Sequence, residues 1–378
     1  MNNINEIYLL AVIGAGEGGL PILQKARELN YVRTLAFGQA DSLAKELADE
    51  FVVCDINDIE RIVAICKEFN VNGVIGTSES TTESTALIAQ QLGLPGNDVN
   101  GGFGASNKYV MRQRVSKVEN IKQPRFSLYK EDAEYDYPIV VKALDSCGKR
   151  GISVVHSAEE LPKAIAYARE YSSDGGVLME QFLEGGNEYS IECLAGGGHY
   201  QIIQFTEKES SGAPHFVETA HHQPANISVE LEVKIKIAVP DVLKAIGINC
   251  GMAHLELKII DNEIFFIEVG ARGGGDHIAD TLTVNSTDFD YFKGAIDCCL
   301  GIYKYKEAHQ KAFTGIYFHC KQNASLQPLF ESARYADWCI ADTVVSDDFS
   351  DAETNVGTAQ SGYIIYCSDH KITIKDVL

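Results

Sequence analysis

The sequence is poor in positive charge. Its 378 residues contain 32 Lys and Arg against 53 Asp and Glu, which gives a formal net charge of −21. This balance excludes a nucleic-acid backbone as the main partner, because phosphate chains are bound by an excess of Lys and Arg. If the protein binds a small anion, it must gather its few cations in one place or use a metal ion.

Other sequence features are missing as well. None of the ten cysteines forms a Cys-x-x-Cys pair, which excludes a zinc ribbon and a thioredoxin motif. The first residues lack the basic stretch of a signal peptide, and no apolar run approaches the roughly 18 residues of a membrane helix. We therefore expect a cytoplasmic protein with reduced cysteines that binds neither membranes nor nucleic acids.

The composition, 45% hydrophobic and 22% charged, is typical of a folded chain of two or three domains. In the first third, short apolar segments alternate with helical patterns, which predicts a parallel α/β sheet covered on both faces. The predicted strands are 7–13, 32–37, 51–53 and 71–76, with helical stretches near 42–50 and 58–69.

A glycine loop follows the first predicted strand, with Gly14, Gly16 and Gly19 in the spacing G-x-G-x-x-G. Such loops let a pyrophosphate approach the backbone at a helix N-terminus, as in dinucleotide-binding proteins. Those proteins carry an acidic residue at the end of the second strand, whereas the nearest acid here, Asp41, comes two residues late. The pattern therefore leaves NAD binding open but favours a tight turn or a site for another substrate.

The middle of the chain predicts an α+β unit with antiparallel strands. Lys142 lies inside the apolar strand 139–144 and precedes a glycine-rich loop at 146–151. The loop is not a Walker A motif, because no Gly-Lys-Ser/Thr occurs in the chain. It is either a plain turn or a phosphate-binding loop. A lysine inside an apolar strand favours the second interpretation, unless it reaches solvent at a sheet edge.

Residues 253–269 predict a β-hairpin with two glutamates. A three-residue loop at 261–263 would place Glu256 directly opposite Glu268, whereas the competing two-residue turn would put them on opposite faces. The three-residue loop is favoured because it gathers the apolar side chains on the other face of the hairpin. These side chains are Leu255, Leu257, Ile259, Phe265, Ile267 and Val269.

Two facing carboxylates need a cation. At about 4 Å and an effective dielectric constant of about 20, they repel each other by roughly 4 kcal/mol. A divalent metal with a preference for oxygen ligands, such as Mg²⁺, offsets this repulsion. The alternative is a solvated pair relieved by Lys258. Arg272, followed by three glycines, adds a guanidinium and backbone N–H groups that suit an anion next to such a metal.

The candidate site residues fall into several groups that follow one another in a defined order along the chain. They are Lys108 with Met111 and Arg112, Lys142, the loop 146–151, residues 180–185 with 188–190, and Glu256 with residues 268–272. In this order they resemble the ATP-grasp superfamily, and within it the carboxylate–amine ligases. These include L-amino acid ligases, which are similar to half of a carbamoyl-phosphate synthetase large subunit.

The resemblance covers roughly residues 7–300 and implies the domain organisation. A Rossmann-like pre-ATP-grasp domain is expected over 1–122 and an ATP-grasp domain over 123–301. The second domain would include a lid subdomain at about 125–185. Residues 302–378 would form a small C-terminal lobe, in which the sequence predicts strands near 314–320, 363–367 and 371–375.

The resemblance also implies roles for individual residues. ATP would be bound with Mg²⁺, for which Mn²⁺ could substitute, and Glu256 and Glu268 would bridge the metal. Arg272 would bind the acyl phosphate, and Lys208 is the second catalytic candidate. Many ATP-grasp enzymes carry a further metal ligand, Asn, where this chain has Gly270. The ATP-binding residues would be Lys108, Lys142, Ser146, Gly148, Lys149 and Gly151 at the phosphates, Glu180, Gln181, Phe182 and Leu183 at the adenine, and Glu188 at the ribose.

The implied reaction transfers a phosphoryl group from ATP to a carboxylate, after which an amine attacks the acyl phosphate. The partners would be a small acid and an amine, and the assembly a homodimer. Alternatives are a biotin-type carboxylase or formate-using transferase on the same scaffold, an NAD-dependent dehydrogenase, and a non-catalytic nucleotide-binding module. Candidate substrate-binding residues are Glu79, Glu83, His221, His254, Gly273 and Gly274.

Overall fold

The computed structural model describes residues 7–99, 103–146, 148, 150–212, 217–344 and 360–378. These residues form three β-sheets with helices packed against them. No helix in this part of the chain is both long and apolar enough to cross a bilayer.

The first sheet is parallel, as the sequence predicts, with strand order β3-β2-β1-β4. Its central strand is buried on both faces because the helices pack against both sides of the sheet. The strands are β1 (Tyr8–Ile13), β2 (Val32–Gly38), β3 (Glu50–Val53) and β4 (Gly73–Gly76), and the helices are α1 (Leu20–Glu28), α2 (Ile59–Glu68) and α3 (Thr82–Leu92).

The helix predicted near 42–50 is wrong. Only a single 3-10 turn, Lys45–Leu47, is present there. Leu43 is 70% exposed and Ala44 is the one residue of this stretch that is buried, so the segment has no apolar face that would hold a helix against the sheet.

The second sheet is antiparallel, with order β5-β8-β6-β7, and coincides with the predicted lid. One helix covers it through a small apolar core of its own. The strands are β5 (Phe126–Leu128), β6 (Ile139–Ala143), β7 (Ile152–Val155) and β8 (Val177–Gln181); helix α4 (Lys108–Val115) precedes them and α5 (Leu161–Glu170) is the covering helix.

The third sheet has eight strands in the order β13-β12-β9-β10-β11-β14-β16-β15. Its last three strands come from the predicted C-terminal lobe, and they join the sheet because β14 pairs with β11. The strands are β9 (Asn187–Gly196), β10 (His199–Ser210), β11 (Glu218–Gln223), β12 (Gly251–Ile260), β13 (Glu263–Gly270), β14 (Phe313–Phe318), β15 (Cys339–Asp342) and β16 (Tyr363–Ser368). The helices are α6 (Val229–Ile246), α7 (Val284–Ser286), α8 (Tyr291–Cys299) and α9 (Gln327–Ala333).

The turn of the β12–β13 hairpin differs from the prediction. It has two residues, Asp261 and Asn262, and Ile260 pairs with Glu263. Both turn residues have left-handed backbone angles, with φ of 50° and 64°. Such angles are typical of the two-residue turns whose twist matches that of the flanking strands, and Asn and Asp tolerate them well. The predicted three-residue loop is therefore wrong.

A β-bulge nevertheless brings the two glutamates together. Glu256 pairs with Glu268, whereas the next residue, Leu257, pairs with Phe266, so Ile267 is an extra residue in β13. The bulge moves the register by one position, which compensates for the shorter turn. The prediction that Glu256 faces Glu268 is thus confirmed, although the turn was predicted incorrectly and the bulge was not predicted.

The two-residue turn also changes which side chains of β13 enter the core. Ile264 and Phe266 are buried there, whereas the predicted Phe265 and Ile267 are only partly buried. Ile267 instead lines the cleft beside the glutamates. On the other strand, Leu255 and Leu257 are buried as predicted.

Candidate functional site

A cleft of about 310 Å³ lies between the lid sheet and the β12–β13 end of the eight-stranded sheet. Most of the predicted ATP-binding and metal-binding residues line it, although they come from separate segments of the chain. The predicted residues in its wall are Lys108, Lys142, Ser146, Gly148, Glu180, Gln181, Phe182, Leu183, Glu188, Lys208, Glu256 and Glu268.

Two residues predicted for the phosphate loop are not among those in the cleft wall. Lys149 lies outside the described residues, so its role stays a prediction, whereas Gly151 is described and does not line the cleft. Gly151 has a left-handed φ of 69°, and a Cβ atom there would come within 2.9 Å of the Cβ of Ala143. Gly151 therefore has a conformational and packing role where the loop returns to the sheet.

At the lid end of the cleft, Glu180 is buried between two cations. Its Oε1 accepts a hydrogen bond from Nε of Arg112 at 2.6 Å, and its Oε2 lies 2.7 Å from Nζ of Lys142. Burial alone would raise the pKa of Glu180, but Lys142 and Arg112 lower it to about 2. The sequence predicts Glu180 at the adenine and assigns no role to Arg112, whereas their side chains form this buried cluster.

At the other end, a lysine contacts each of the facing glutamates. Nζ of Lys208 lies 2.8 Å from Oε1 of Glu256, and Nζ of Lys108 lies 3.3 Å from Oε2 of Glu268. Lys108 also donates to the backbone carbonyl of Ser146, 2.9 Å away, at the start of the glycine-rich loop. The lysines reduce the repulsion between the carboxylates and connect them to the phosphate-loop side of the cleft.

The titration behaviour of the two glutamates follows from these contacts. Burial would raise the pKa of Glu256, but Lys208 and His254 hold it well below its usual range. Lys108 lowers the pKa of Glu268, although burial and Glu256 oppose this. Both carboxyl groups are therefore ionised near neutral pH.

The donor set suits a hard divalent cation. Oε2 of Glu256 and Oε1 of Glu268 accept no hydrogen bond from the described residues, so each carboxylate keeps one oxygen for a ligand. The same part of the chain contains no cluster of three or more metal-ligating side chains. At position 270, a Cβ atom would meet Oε2 of Glu79 at 2.8 Å, so a side chain there would require Glu79, which contacts Arg272, to move. The site thus offers two protein ligands and leaves the other positions to a bound substrate.

His254 lies between two carboxylates. Its Nδ1 is 2.5 Å from Oε1 of Glu192, and its Nε2 is 3.3 Å from Oε1 of Glu256. Burial would lower the pKa of His254, but the two carboxylates raise it to about 9. His254, which was predicted to bind substrate, therefore contacts Glu256, one of the two predicted metal ligands. Glu192 was missed, although a glutamate inside the apolar strand β9 is itself a signal of a buried polar role.

A second cavity, of about 440 Å³, adjoins Arg272. Nε of Arg272 lies 2.7 Å from Oε2 of Glu79, so these two predicted residues meet at the cavity wall. Residues from the glycine loop, from the end of β4 and from the C-terminal lobe complete the wall. Its other members include Gly273 and Gly274, the acids Glu17, Asp276 and Asp280, and the aromatic side chains of His277, Phe292, Phe318 and Tyr363.

Three predicted substrate residues do not line either of these cavities: His254, which contacts Glu192 and Glu256 instead, Glu83 and His221. Glu83 is exposed on α3. His221 is fully buried, with its ring edge against Phe318 and its Nε2 3.8 Å from Oδ2 of Asp276. His221 therefore packs behind the wall of the second cavity.

Comparison with known proteins agrees with this fold and cleft. Residues 135–280 match the family model described as an ATP-grasp domain. The predicted fold, a Rossmann-like domain followed by an ATP-grasp fold, is confirmed.

Three comparisons illustrate the similarity. The carbamoyl phosphate synthase large chain of Neisseria meningitidis serogroup B is 27% identical over 228 residues, which cover 57% of this chain and 21% of that protein. Dapdiamide A synthase of Enterobacter agglomerans is 23% identical over 302 residues, covering 73% of this chain and 70% of that protein. A crystal structure of an L-amino acid ligase from Bacillus licheniformis superposes with a TM-score of 0.77 at 21% identity, covering 97% of this chain and 94% of the ligase.

These similarities differ in extent. The match to the synthase large chain spans about a fifth of that protein, because it involves one part of a much longer polypeptide. The ligase structure is matched over nearly its whole length, and at this level of identity the match shows a shared fold.

Proposed function

We propose that the protein is an ATP- and Mg²⁺-dependent ligase that joins a small carboxylic acid to an amine through an acyl phosphate, releasing ADP and phosphate. The observation that carries this proposal is the pair Glu256 and Glu268, each held by a lysine in the cleft, with Arg272 close enough for its charge to interact with both carboxylates. The likeness to dapdiamide A synthase and to an L-amino acid ligase supports a reaction of this class.

The residues of the cleft have different roles in the proposed phosphoryl transfer. Glu256 and Glu268 would hold Mg²⁺, which when bound neutralises charge on the phosphates. Lys142 at the lid end of the cleft and Lys108 at the glutamate end supply positive charge along the cleft, where the triphosphate would lie. Glu180 fixes the ammonium of Lys142, so that this lysine is positioned before ATP binds.

Arg272 would bind the carboxylate of the acid and then the acyl phosphate. Its contact with Glu79 holds the guanidinium in place while leaving it at the wall of the second cavity. Burial would lower the pKa of Arg272, but Glu79, Glu256 and Glu268 raise it, so the guanidinium lies within electrostatic range of both glutamates of the cleft. An acid bound to Arg272 would therefore hold its carboxylate near the phosphoryl group.

The second cavity suits an amine better than a phosphorylated acceptor. Glycine loops at helix N-termini often bind phosphate. Here that loop contributes Glu17, and the described wall also contains Asp276 and Asp280. These carboxylates attract a protonated amine and repel a phosphate.

The test is ADP release in the presence of panels of acids and amines. We expect release only when an acid and an amine are both supplied, with a product whose mass equals their sum minus water. Turnover that depends on bicarbonate or formate instead would support the carboxylase or transferase alternative. Tight NADH binding without ATP binding would support a dehydrogenase. The cytoplasmic location and the homodimer stay predictions from the sequence.

A further inference from the structure

A buried carboxylate that the mechanism above does not use lies beneath the site. Glu192 is completely buried in β9, between the buried side chains of Ile191 and Cys193. A charged group in such surroundings is costly unless hydrogen bonds and an opposite charge compensate it. Both oxygens of Glu192 are occupied, and their partners belong to three different elements.

The first oxygen of Glu192 holds a histidine next to the metal site. Oε1 contacts Nδ1 of His254 on β12, and the other ring nitrogen of His254 faces Glu256. The hydrogen bond on one nitrogen fixes the tautomer and orientation of an imidazole ring, and thereby what the other nitrogen presents. Glu192 therefore controls how His254 supports the carboxylate of Glu256.

The second oxygen of Glu192 holds the loop that follows Arg272. Oε2 accepts a hydrogen bond from the backbone N–H of Gly274 at 3.0 Å. The loop lies directly on the buried pair, because a Cβ atom at position 274 would meet Oε1 of Glu192 at 2.6 Å and Nδ1 of His254 at 2.7 Å. Position 274 thus requires glycine for close approach.

We propose that Glu192 is a positioning residue that fixes Glu256, through His254, and the loop after Arg272, through Gly274, relative to one another. One rigid carboxylate then sets the distance between the metal site and the anion-binding loop. The inference rests on the proposed function, since it takes Glu256 as a metal ligand and Arg272 as the anion-binding group.

The test is the substitution Glu192→Gln, which keeps the shape of the side chain but removes its charge. Manganese binding is measured by electron paramagnetic resonance in the presence of a non-hydrolysable ATP analogue. We expect the Mn²⁺ affinity and kcat to fall about tenfold or more each, as for other residues that support metal ligands, with KM for ATP changed less than threefold.

Two control variants separate positioning from general destabilisation. Asp297→Asn removes a buried carboxylate that accepts a hydrogen bond from Tyr31 and contacts Lys293, away from the site. Tyr291→Phe removes the third donor to Glu192, a hydroxyl that contacts neither Glu256 nor the loop. Both are expected to lower the melting temperature while leaving Mn²⁺ affinity within twofold of the wild type.

If Glu192→Gln does not fold, Gly274→Ala tests the same coupling from the loop, because its methyl group presses on Glu192 and His254. Gly274→Ala is expected to weaken Mn²⁺ binding, whereas Gly275→Ala, whose Cβ would meet no atom within 4 Å, is not. Unchanged Mn²⁺ affinity in a folded Glu192→Gln variant, or in Gly274→Ala, would overturn this inference but would leave the proposed function unaffected. A wild-type protein that binds no manganese–nucleotide complex would overturn the proposed function and the inference with it.

Discussion

Glu256 and Glu268 lie directly opposite each other in the β12–β13 hairpin, where a lysine contacts one oxygen of each carboxylate and no described residue hydrogen-bonds to the other. The lysines offset the repulsion between the carboxylates, so the pair does not need a metal to remain ionised. A metal that enters the site finds two charged oxygens already in place. The arrangement is therefore prepared for a cation that arrives with the nucleotide.

This arrangement predicts that Glu268→Gln abolishes turnover, with kcat for ADP release reduced by at least about a hundredfold. The amide keeps the shape of the side chain but lacks the charge that holds a hard cation. Glu263→Gln is the matched control, because Glu263 lies on the same strand and is 55% exposed in a surface ion pair with Lys122. A near-normal rate in Glu268→Gln, with Glu263→Gln equally active, would contradict the metal assignment.

The buried cluster at Glu180 predicts a large effect on stability. Arg112→Met leaves the carboxylate of Glu180 with one cation, and removal of one partner from a buried ion pair costs about 3–5 kcal/mol. Urea unfolding should show this loss in the free energy of unfolding. Arg33→Met provides the comparison, because Arg33 is 64% exposed in its pair with Asp49 and surface pairs contribute about 0–1 kcal/mol. Equal effects of the two substitutions would mean that the cluster is not stabilising.

The same cluster predicts a dependence of stability on pH. The pKa of Glu180 is lowered to about 2 in the folded protein, so the carboxylate stabilises the fold above its usual pKa and loses this contribution as the pH falls toward 2. The difference in the free energy of unfolding between the wild type and Glu180→Gln should therefore shrink by about 2 kcal/mol between pH 6 and pH 3. Urea unfolding at several pH values measures it. A difference that stays constant over this range would show that Glu180 titrates normally.

The sequence predicted the types of sheet well because their patterns are local. Continuous apolar strands that alternate with helices predict a parallel sheet, and the β1–β4 sheet is parallel. The strand predicted at 371–375 is wrong, because a local pattern can also mislead. Its alternating pattern resembles a strand, but it ends in a 3-10 turn, Ile374–Asp376, in which Asp376 accepts hydrogen bonds from Thr373. Short polar side chains that bond to nearby backbone compete with strand pairing.

The site was less predictable wherever long-range contacts decide the outcome. The facing of Glu256 and Glu268 was predicted from an incorrect turn, and the bulge at Ile267 that restores it has no local signal. The roles of Arg112 and Glu192 depend on partners 68 and 62 residues away along the chain, Glu180 and His254. Glu192 lies inside the apolar strand β9 and could have been recognised as buried, whereas Arg112 lies in the polar helix α4. The partners of both residues come only from the fold.

The charge of the second cavity predicts which amines the enzyme accepts. L-Serine and O-phospho-L-serine form a matched pair of acceptors, because they differ only by the phosphate. With an acid that supports turnover, we expect kcat/KM for ADP release to be at least about tenfold lower with phosphoserine, a difference of about 1.4 kcal/mol. The reason is repulsion by Glu17, Asp276 and Asp280, which is strong in a partly enclosed cavity.

Two variants test this explanation. In Glu17→Gln, the difference in kcat/KM between serine and phosphoserine should become smaller, because one of these charges is removed. Glu60→Gln, an exposed position on α2 away from the cavity, should leave it unchanged. If phosphoserine were the better acceptor and Glu17→Gln had no effect, the glycine loop would be a phosphate site despite its carboxylate.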